Sequence, residues 1–573
     1  MSDIVFGFDE YRELLLDFAE QSPALLGTHP KTAVLARDVE RLNILASLNT
    51  RFTVAIVGQM RVGKSTLLNA IIGRDLAPTG VTETTATINW FRHGTGGLCD
   101  YFRVHWRDGS TEDRPLSEVG DWLGQENNAK QTTALDFFAD SAFLAGANIV
   151  DTPGTRSVLT SHESTTRDFV FEPTAHESEA RALEAATHQE GARADAVIYV
   201  LNPVARKNDT DLLTAFGENT RMPGSSAHNS IAVVQKWEEY GLTEALRKCE
   251  RIREQLDGKV AEVIPTSGLL AEYVRKLSIE TWEQLVMLAK ITSEDDWEDL
   301  LDSTEFFVDE MESTPLTVKE RQELLDKMAW PALRCSLQIS RKEGFTSGAE
   351  LKHAVDQASG LGKLKKVLQK RFFAQAELIK ANTVLRKAWT PCNIGLATLS
   401  RLERTRLADV NAGSSTKELL MQTQLENQTH KTILNYIESS LDAVRSDMAN
   451  IRQLREELHT LKHRAQSNFE ALESDLRILE EINNGGLRSI SEEDQSELAR
   501  ICGLRGVAPW QRLGYPSQDQ SLETLIERAE DLSAKWELHC LPGKAQRNSA
   551  KHALERLHQI LDYLEAKVDF TYP

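Results

Sequence analysis

Residues Thr53 to Thr66 read TVAIVGQMRVGKST. Thr53 to Val57 is almost unbroken apolar sequence, the composition of a buried strand. It runs straight into Gly58-x-x-x-x-Gly63-Lys64-Ser65, and Leu67, Leu68, Ala70, Ile71 and Ile72 then open a helix. A strand, a glycine-bounded loop and a helix in that order make a cradle for a triphosphate. The glycines let backbone N–H groups turn inward around the phosphates, and the helix N-terminus adds its partial positive charge. On this reading Gly58, Gln59, Met60, Arg61, Val62, Gly63, Lys64, Ser65 and Thr66 surround the phosphates. Lys64 reaches the β- and γ-phosphates and the Ser65 hydroxyl binds Mg²⁺.

Working outward, strand-like runs alternate with helical stretches from residue 53 to about 270, which predicts a mostly parallel sheet with helices on both faces. Ala77 to Ala86 is a hydroxyl-rich loop that precedes a strand over Thr87 to Arg92. A threonine here would be a second Mg²⁺ ligand sensitive to the γ-phosphate; Thr85, directly before the strand, is preferred and Thr84 is the alternative. Ala147 to Val150 leads into Asp151-Thr152-Pro153-Gly154. An aspartate closing a buried strand suits the outer shell of Mg²⁺, and Gly154 can offer its N–H to the γ-phosphate. Residues 155–192 are polar with few apolar anchors and read as a switch.

Two further strands, Ala196 to Leu201 and Ile231 to Val234, follow, and the second runs into Gln235-Lys236-Trp237-Glu238. Ala261 to Ile264 runs into Pro265-Thr266-Ser267-Gly268. These positions suit a base-reading Asn/Thr-Lys-x-Asp motif and its companion loop, with Gln235, Lys236, Glu238, Thr266 and Ser267 as the base-binding candidates. A carboxylate must accept from guanine N1–H and N2–H, and Glu238 supplies one on a longer arm than Asp, which predicts a guanine preference that is weakened.

GQMRVGKS, TTA, DTPG, QKWE and PTSG, in this order, resemble the bacterial dynamin-like GTPases. The likeness extends through residues 359–388, where a last GTPase-domain helix leads into further helices, and covers roughly the first two-thirds of the chain. The resemblance implies GTP hydrolysis to GDP and phosphate with Mg²⁺, pairing of two GTPase domains as a homodimer, and a stalk that swings on hydrolysis. Thr155 stands after Gly154, where Ras-like enzymes carry a water-orienting Gln. In the related guanylate-binding proteins and atlastins an arginine at the P-loop position of Arg61 is an internal arginine finger, and the resemblance implies that role for Arg61. The catalytic set is then Arg61, Lys64, Ser65, Thr85 and Gly154, with Ser65, Thr85 and Asp151 around the metal.

The rest of the chain bounds these expectations. A length of 573 residues predicts two to four domains. A formal net charge of −20 speaks against nucleic acid as a partner, since such binding rests on neutralising phosphates. The six scattered cysteines form no CxxC pair and read as reduced thiols. No basic-then-apolar leader and no long apolar span is seen, so a cytoplasmic protein is expected, peripheral to a membrane if it meets one. Residues 1–48 read as two N-terminal helices packing on the stalk or neck, 49–375 as the GTPase domain with a helical insertion at 271–345, and 376–573 as a helical stalk or bundle. Beyond Pro391 the chain changes character: Ser414 to Asn484 holds no Gly or Pro, and Ile437, Leu441, Val444, Met448, Ile451, Leu454, Leu458 and Leu461 recur at steps of three and four. As helix, this stretch would be on the order of 75–100 Å long.

Two stretches could touch lipid headgroups: Gly503 to Pro516, with the basic and aromatic residues Arg505, Arg512, Trp510 and Tyr515, and His539 to Arg547, which is basic in an acidic chain. Three functions therefore compete. One is a GTPase that assembles and remodels membranes, with membrane lipids or partner GTPases as its contacts. The second is a soluble nucleotide switch acting as a scaffold, and the third a P-loop NTPase with relaxed base choice.

Overall fold

The computed structural model describes residues 8–42, 51–58, 62–77, 88–123, 125, 128, 131–151, 194–201, 229–256, 260–290, 294–311, 313–422, 428–487, 490–504, 506–541 and 547–571. They fall into two compact units: Arg51–Ala374, and a second made from both ends of the chain, Met1–Thr50 with Gln375–Pro573.

The first unit is built on a sheet of nine strands among the described residues. In chain order these are β1 (Thr53–Gly58), β2 (Ile88–His93), β3 (Tyr101–Trp106), β4 (Thr111–Pro115), β5 (Thr132–Ala139), β6 (Asn148–Asp151), β7 (Ala196–Leu201), β8 (Ser230–Val234) and β9 (Glu262–Pro265). Their order across the sheet is β4-β3-β5-β2-β6-β1-β7-β8-β9. β1 lies inside, parallel to β6 with Ala55 opposite Val150 and parallel to β7 with Ile56 opposite Ile198. Val54, Ala55 and Ile56 are wholly buried, which is why this strand is apolar without alternation. From β1 the chain builds outward on one side, then returns across β1 to β7 on the other. The carboxyl ends of the central strands thus open at a topological switch point, where α/β sheets hold their ligands.

The sheet is mixed, not purely parallel. β2 runs antiparallel to β6 and parallel to β5, while β3 is antiparallel to both β4 and β5. On one face of this part Phe91 and Phe102 stack on Phe137 at 5.1 and 6.0 Å, and Trp122 meets Phe102 edge-on. Elsewhere Ala55, Val57, Val150, Val197, Tyr199, Ala232, Val234 and Val263 form a layer with Cys249 and Ile252 of the helix Leu242–Gln255.

After β9 the chain is helical. Helices Gly268–Lys276, Ile279–Leu288, Glu294–Asp302, Val318–Lys327, Trp330–Glu343 and Gly348–Ala358 enclose a separate core that includes Trp282, Leu285, Trp297, Leu324, Leu333 and Val355. Arg321, almost wholly buried, donates to the carbonyls of Phe307 and Asp309 at 2.8 and 2.6 Å and ties the turn before Val318 to this core. Trp282 and Trp297 are core residues.

The second unit is a long antiparallel hairpin with shorter helices around it. Helix Ala376–Gln422 carries Pro391 inside it, and helix Gln428–Asn483 returns alongside. Ion pairs Lys417–Glu438, Arg406–Asp447 and Glu403–Arg452 and the contact of Gly413 with Leu441 mark the seam. Residues 414–484 are thus not one rod: residues 414–422 end the outgoing helix, and the return helix of 56 residues is about 84 Å long. Helices Phe8–Gly27 and Ala33–Leu42 pack against the outgoing helix, with Leu26 so close to Gly395 that a Cβ there would lie 2.4 Å from Leu26 Cδ2. No helix among the described residues is long and apolar enough to cross a membrane.

In the stretch Gly503 to Pro516, Arg512 does not face solvent. Arg512 is fully buried: its guanidinium pairs with Asp475 at 3.0 Å and donates to the carbonyls of Ile501 and Val507. Pro509–Leu513 is a short helix, and Trp510 is half-buried. Arg512 is consumed inside the fold, so the headgroup reading of this stretch loses its basic anchor; Arg505 lies outside the described residues. Of His539 to Arg547, His539 closes the helix Leu522–His539 and faces Asp494, while residues 542–546 lie outside the described residues.

Candidate functional site

β1 delivers the loop. Its last residue, Gly58, passes so near β7 that a Cβ would lie 2.5 Å from the Val200 carbonyl oxygen. Gly63 has φ +98°, a left-handed turn that glycine adopts without strain, and helix Lys64–Ile72 begins at once. Lys64 is buried and its ammonium donates to the Gly58 carbonyl at 3.2 Å, inside the loop. Ser65 and Thr66 follow on the first helical turn, each half-buried. Gln59, Met60 and Arg61 lie outside the described residues, as do Thr84, Thr85, Gly154 and residues 155–192.

Asp151 ends β6, beside β1, and is buried. Burial pushes its carboxyl up to about 6 against the pull of Lys64, and one of its oxygens, Oδ1, has no hydrogen-bond partner. The Lys64 ammonium is likewise pushed down by burial and partly restored by Asp151. A buried carboxylate oxygen without a donor, next to an ammonium and a helix N-terminus, is costly unless a cation or its waters complete it. The donor set of Ser65 and Asp151, all hard oxygens, fits Mg²⁺.

The base-side residues come from the next two strand ends. Gln235 follows β8, and its side chain and that of Lys236 lie about 4 Å from where a Cβ of Gly63 would stand, so the loop after β8 abuts the phosphate loop. Gln235 Oε1 accepts from the Gly268 N–H at 3.2 Å, leaving Nε2 unpartnered. Lys236 has φ +61°, the one non-glycine in left-handed conformation among the described residues, a placement characteristic of functional turns. The turn is held from below: Trp237 is buried in the core of the helical insertion with Trp282 and Leu285. Glu238 is buried, and burial pushes its carboxyl up while the Ser267 hydroxyl pulls it down; Oε2 has no partner. Thr266, 1% exposed, also has an unpartnered hydroxyl, and Ser267 caps helix Gly268–Lys276 by accepting from the Leu270 N–H at 3.0 Å.

Asp151, Gln235, Glu238 and Thr266 therefore each bury a polar atom with no partner, and all four lie at carboxyl ends of parallel strands. They are four of fifteen such atoms among the described residues, and it is their grouping at one edge of the sheet that marks a place for a polar ligand.

One residue outside the motifs belongs to the same region. Buried Asn69, on an otherwise apolar helix face, accepts from the N–H groups of Leu76 and Ala77 and donates to the Ala77 carbonyl, fixing where the chain leaves toward Thr85. A lone Asn in LLNAII was the available signal.

The sequence model of the dynamin family matches residues 54–212. The isoniazid-induced protein IniC of Mycobacterium tuberculosis is 28% identical over 353 residues, covering 59% of this chain and 66% of IniC. Dynamin-like protein 2 of Campylobacter jejuni is 37% identical over 123 residues, 21% of this chain and 20% of that protein. Among solved structures, an oligomerised bacterial dynamin pair matches at 14% identity over 94% of this chain and 88% of that one, with a TM-score of 0.30, a likeness too slight to support any inference. The chain matches just under two thirds of the length of IniC. Residues 54–212 thus match the dynamin family, and the relatives that the chain resembles include bacterial dynamin-like proteins.

Proposed function

We propose that this chain binds GTP with Mg²⁺ and hydrolyses it to GDP and phosphate. The observation that carries this reading is the set of unpartnered buried polar atoms of Asp151, Gln235, Glu238 and Thr266 around the Gly58–Ser65 loop. The amides of that loop and Lys64 hold the phosphates, Ser65 and Asp151 together with Thr85 hold Mg²⁺, and Gly154 senses the γ-phosphate. Mg²⁺ held by these oxygens would offset the charge that develops on the phosphates. Glu238 accepts from the guanine N1–H and N2–H, with Gln235, Lys236, Thr266 and Ser267 enclosing the base. Arg61 meets the transition-state charge from within the loop, and two GTPase domains pair over bound nucleotide.

Single-turnover hydrolysis at saturating GTP tests the assignment. Lys64→Ala should abolish turnover and most phosphate affinity with the fold intact; a parental rate would refute the site. Arg61→Ala should lower the rate by roughly 10³–10⁵ with little loss of ground-state binding. A loss under about fivefold would remove Arg61 from catalysis.

Membrane association is the second reading, favoured by the end of the helical hairpin. There Leu419, Met421, Ile433 and Tyr436 are 44–74% exposed, close together along the two helices where they meet residues 423–427. Residues 410–437 carry two acidic and two basic side chains, in a chain of net charge −20. A neutral, apolar end on an acidic protein suits a lipid surface that would repel the rest.

A further inference from the structure

Ser359 and Gly360 lie far along the chain from the base loop yet touch it. The Ser267 N–H donates to the Ser359 carbonyl at 2.8 Å. Gly360 has φ +74°, and a Cβ on it would stand 2.2 Å from the Pro265 carbonyl oxygen and 3.4 Å from Thr266 Cα. Two independent constraints, the left-handed turn and the close approach, therefore demand glycine here. Ser359 is fully buried; its hydroxyl donates to the Asp356 carbonyl and accepts from the Leu361 N–H, which fixes the turn on its far side. The helix that follows, Leu361–Val367, is pinned by buried Leu364 and by Lys363, whose ammonium lies 3.3 Å from Glu262 of β9. Further on, Arg371 reaches the same Glu262 at 3.7 Å.

We propose that the Ser359–Gly360 turn positions the Pro265–Ser267 loop for guanine selection, so that Gly360 is a positioning residue for base specificity. The inference rests on reading that loop as part of the base pocket. The loop supplies the unpartnered Thr266 hydroxyl and the Ser267 hydroxyl, which lies near enough to Glu238 to draw its carboxyl down. Pushing the Pro265 carbonyl away by the width of a methyl group shifts both, and with them the carboxylate that would accept from guanine. The phosphate loop is built on β1, separated from β9 by β7 and β8, and it is Gly268, beyond the displaced residues, that packs on the start of its helix. Gly360 thereby acts on the discrimination between bases and not on affinity for phosphate.

The test is competition of GTP, ATP and inorganic tripolyphosphate, each with Mg²⁺, against a labelled GDP. It is run on the parental chain, Gly360→Ala and Gly362→Ala. Gly362 lies two residues on, in the helix Leu361–Val367, and a methyl group added there would meet nothing within 4 Å, so its variant is the control. Gly360→Ala should lower the ratio of GTP to ATP affinity on the order of tenfold, with tripolyphosphate and ATP within about twofold of parental values. Gly362→Ala should behave as the parent. If the parent prefers GTP and Gly360→Ala keeps that ratio, the inference fails alone. Equal weakening of GTP, ATP and tripolyphosphate also overturns it, because the turn would then be merely structural. A parent without guanine preference removes the base reading and this inference with it. Where Gly360→Ala does not yield folded protein, hydrogen exchange on the parent decides: GDP should slow exchange over residues 264–268 and 358–361 together, and protection of the first segment alone overturns the proposal.

Discussion

Lys64 and Asp151 are a buried pair whose members each hold the other's charge against burial. For Asp151 the consequence for stability has a definite sign. Its folded value, about 6, is above the ordinary aspartate value of 3.8, so between those values the folded chain binds more protons than the unfolded one. Stability from this group is therefore greatest in acid and falls as pH rises through about 4 to 6. Asp151→Asn should flatten that part of the pH profile of the nucleotide-free protein while suppressing Mg²⁺-dependent hydrolysis. Urea unfolding at a series of pH values reads the first effect, and an unchanged slope would show that Asp151 ionises normally in the folded state. A residue that costs stability at neutral pH in the free protein is what a ligand site predicts.

At the level of elements, much of the sheet was legible because its central strands are buried on both faces. Val54 to Val57, Ala196 to Val200 and Ile231 to Val234 are apolar runs, and the residues read as candidates follow directly from their ends. β3, β4 and β5 were not legible. β4, TEDRP, is an exposed edge with no apolar period to betray it, and its charges discourage further pairing. The break between the two long helices was hidden too, because QTQLENQ holds neither Gly nor Pro. Composition misled at Gly503 to Pro516, since Arg512 looks the same in sequence whether it faces headgroups or Asp475. The Ser359–Gly360 turn could not have been joined to Pro265 without the fold. The hairpin end is where the membrane reading is best tested. Co-sedimentation with liposomes should require it, and Leu419→Ser with Tyr436→Ser should reduce binding by about tenfold or more without altering hydrolysis by the free protein. Parental binding by that double variant would locate any membrane contact elsewhere.

At the scale of whole units, the helical one is organised around a charge. Asp475, on the helix Gln428–Asn483, is fully buried and meets Arg512 at 3.0 Å, Arg556 at 2.8 Å and His552 at 2.8 Å. Burial would raise its carboxyl, but Arg556, Arg512 and His552 outweigh it and hold the group down at about 2. The folded value is below the ordinary 3.8, so the stabilisation is complete above about 4 and is lost as pH falls toward 2. Asp475→Asn strands two buried guanidiniums and should cost about 3–5 kcal/mol at pH 7. It should also remove the acid-sensitive part of unfolding between about pH 4 and 2. Tryptophan fluorescence during denaturation measures both, and a loss below about 1 kcal/mol would mean that the network is not stabilising.

The division of the chain into Arg51–Ala374 and the two flanking segments sets an order of events at the ribosome. Helices 8–42 are made well before the helix they pack against, which begins at Ala376. At roughly 5–20 residues per second, their apolar side chains, among them Phe18, Leu26 and Leu35, wait on the order of tens of seconds for a partner. The unit Arg51–Ala374 is made within that interval and holds its own sheet and hydrophobic cores. Residues 8–42 can thus dock only after residue 376 has been made, and a released chain truncated after residue 374 should protect the GTPase unit from protease while leaving residues 8–42 open to cleavage.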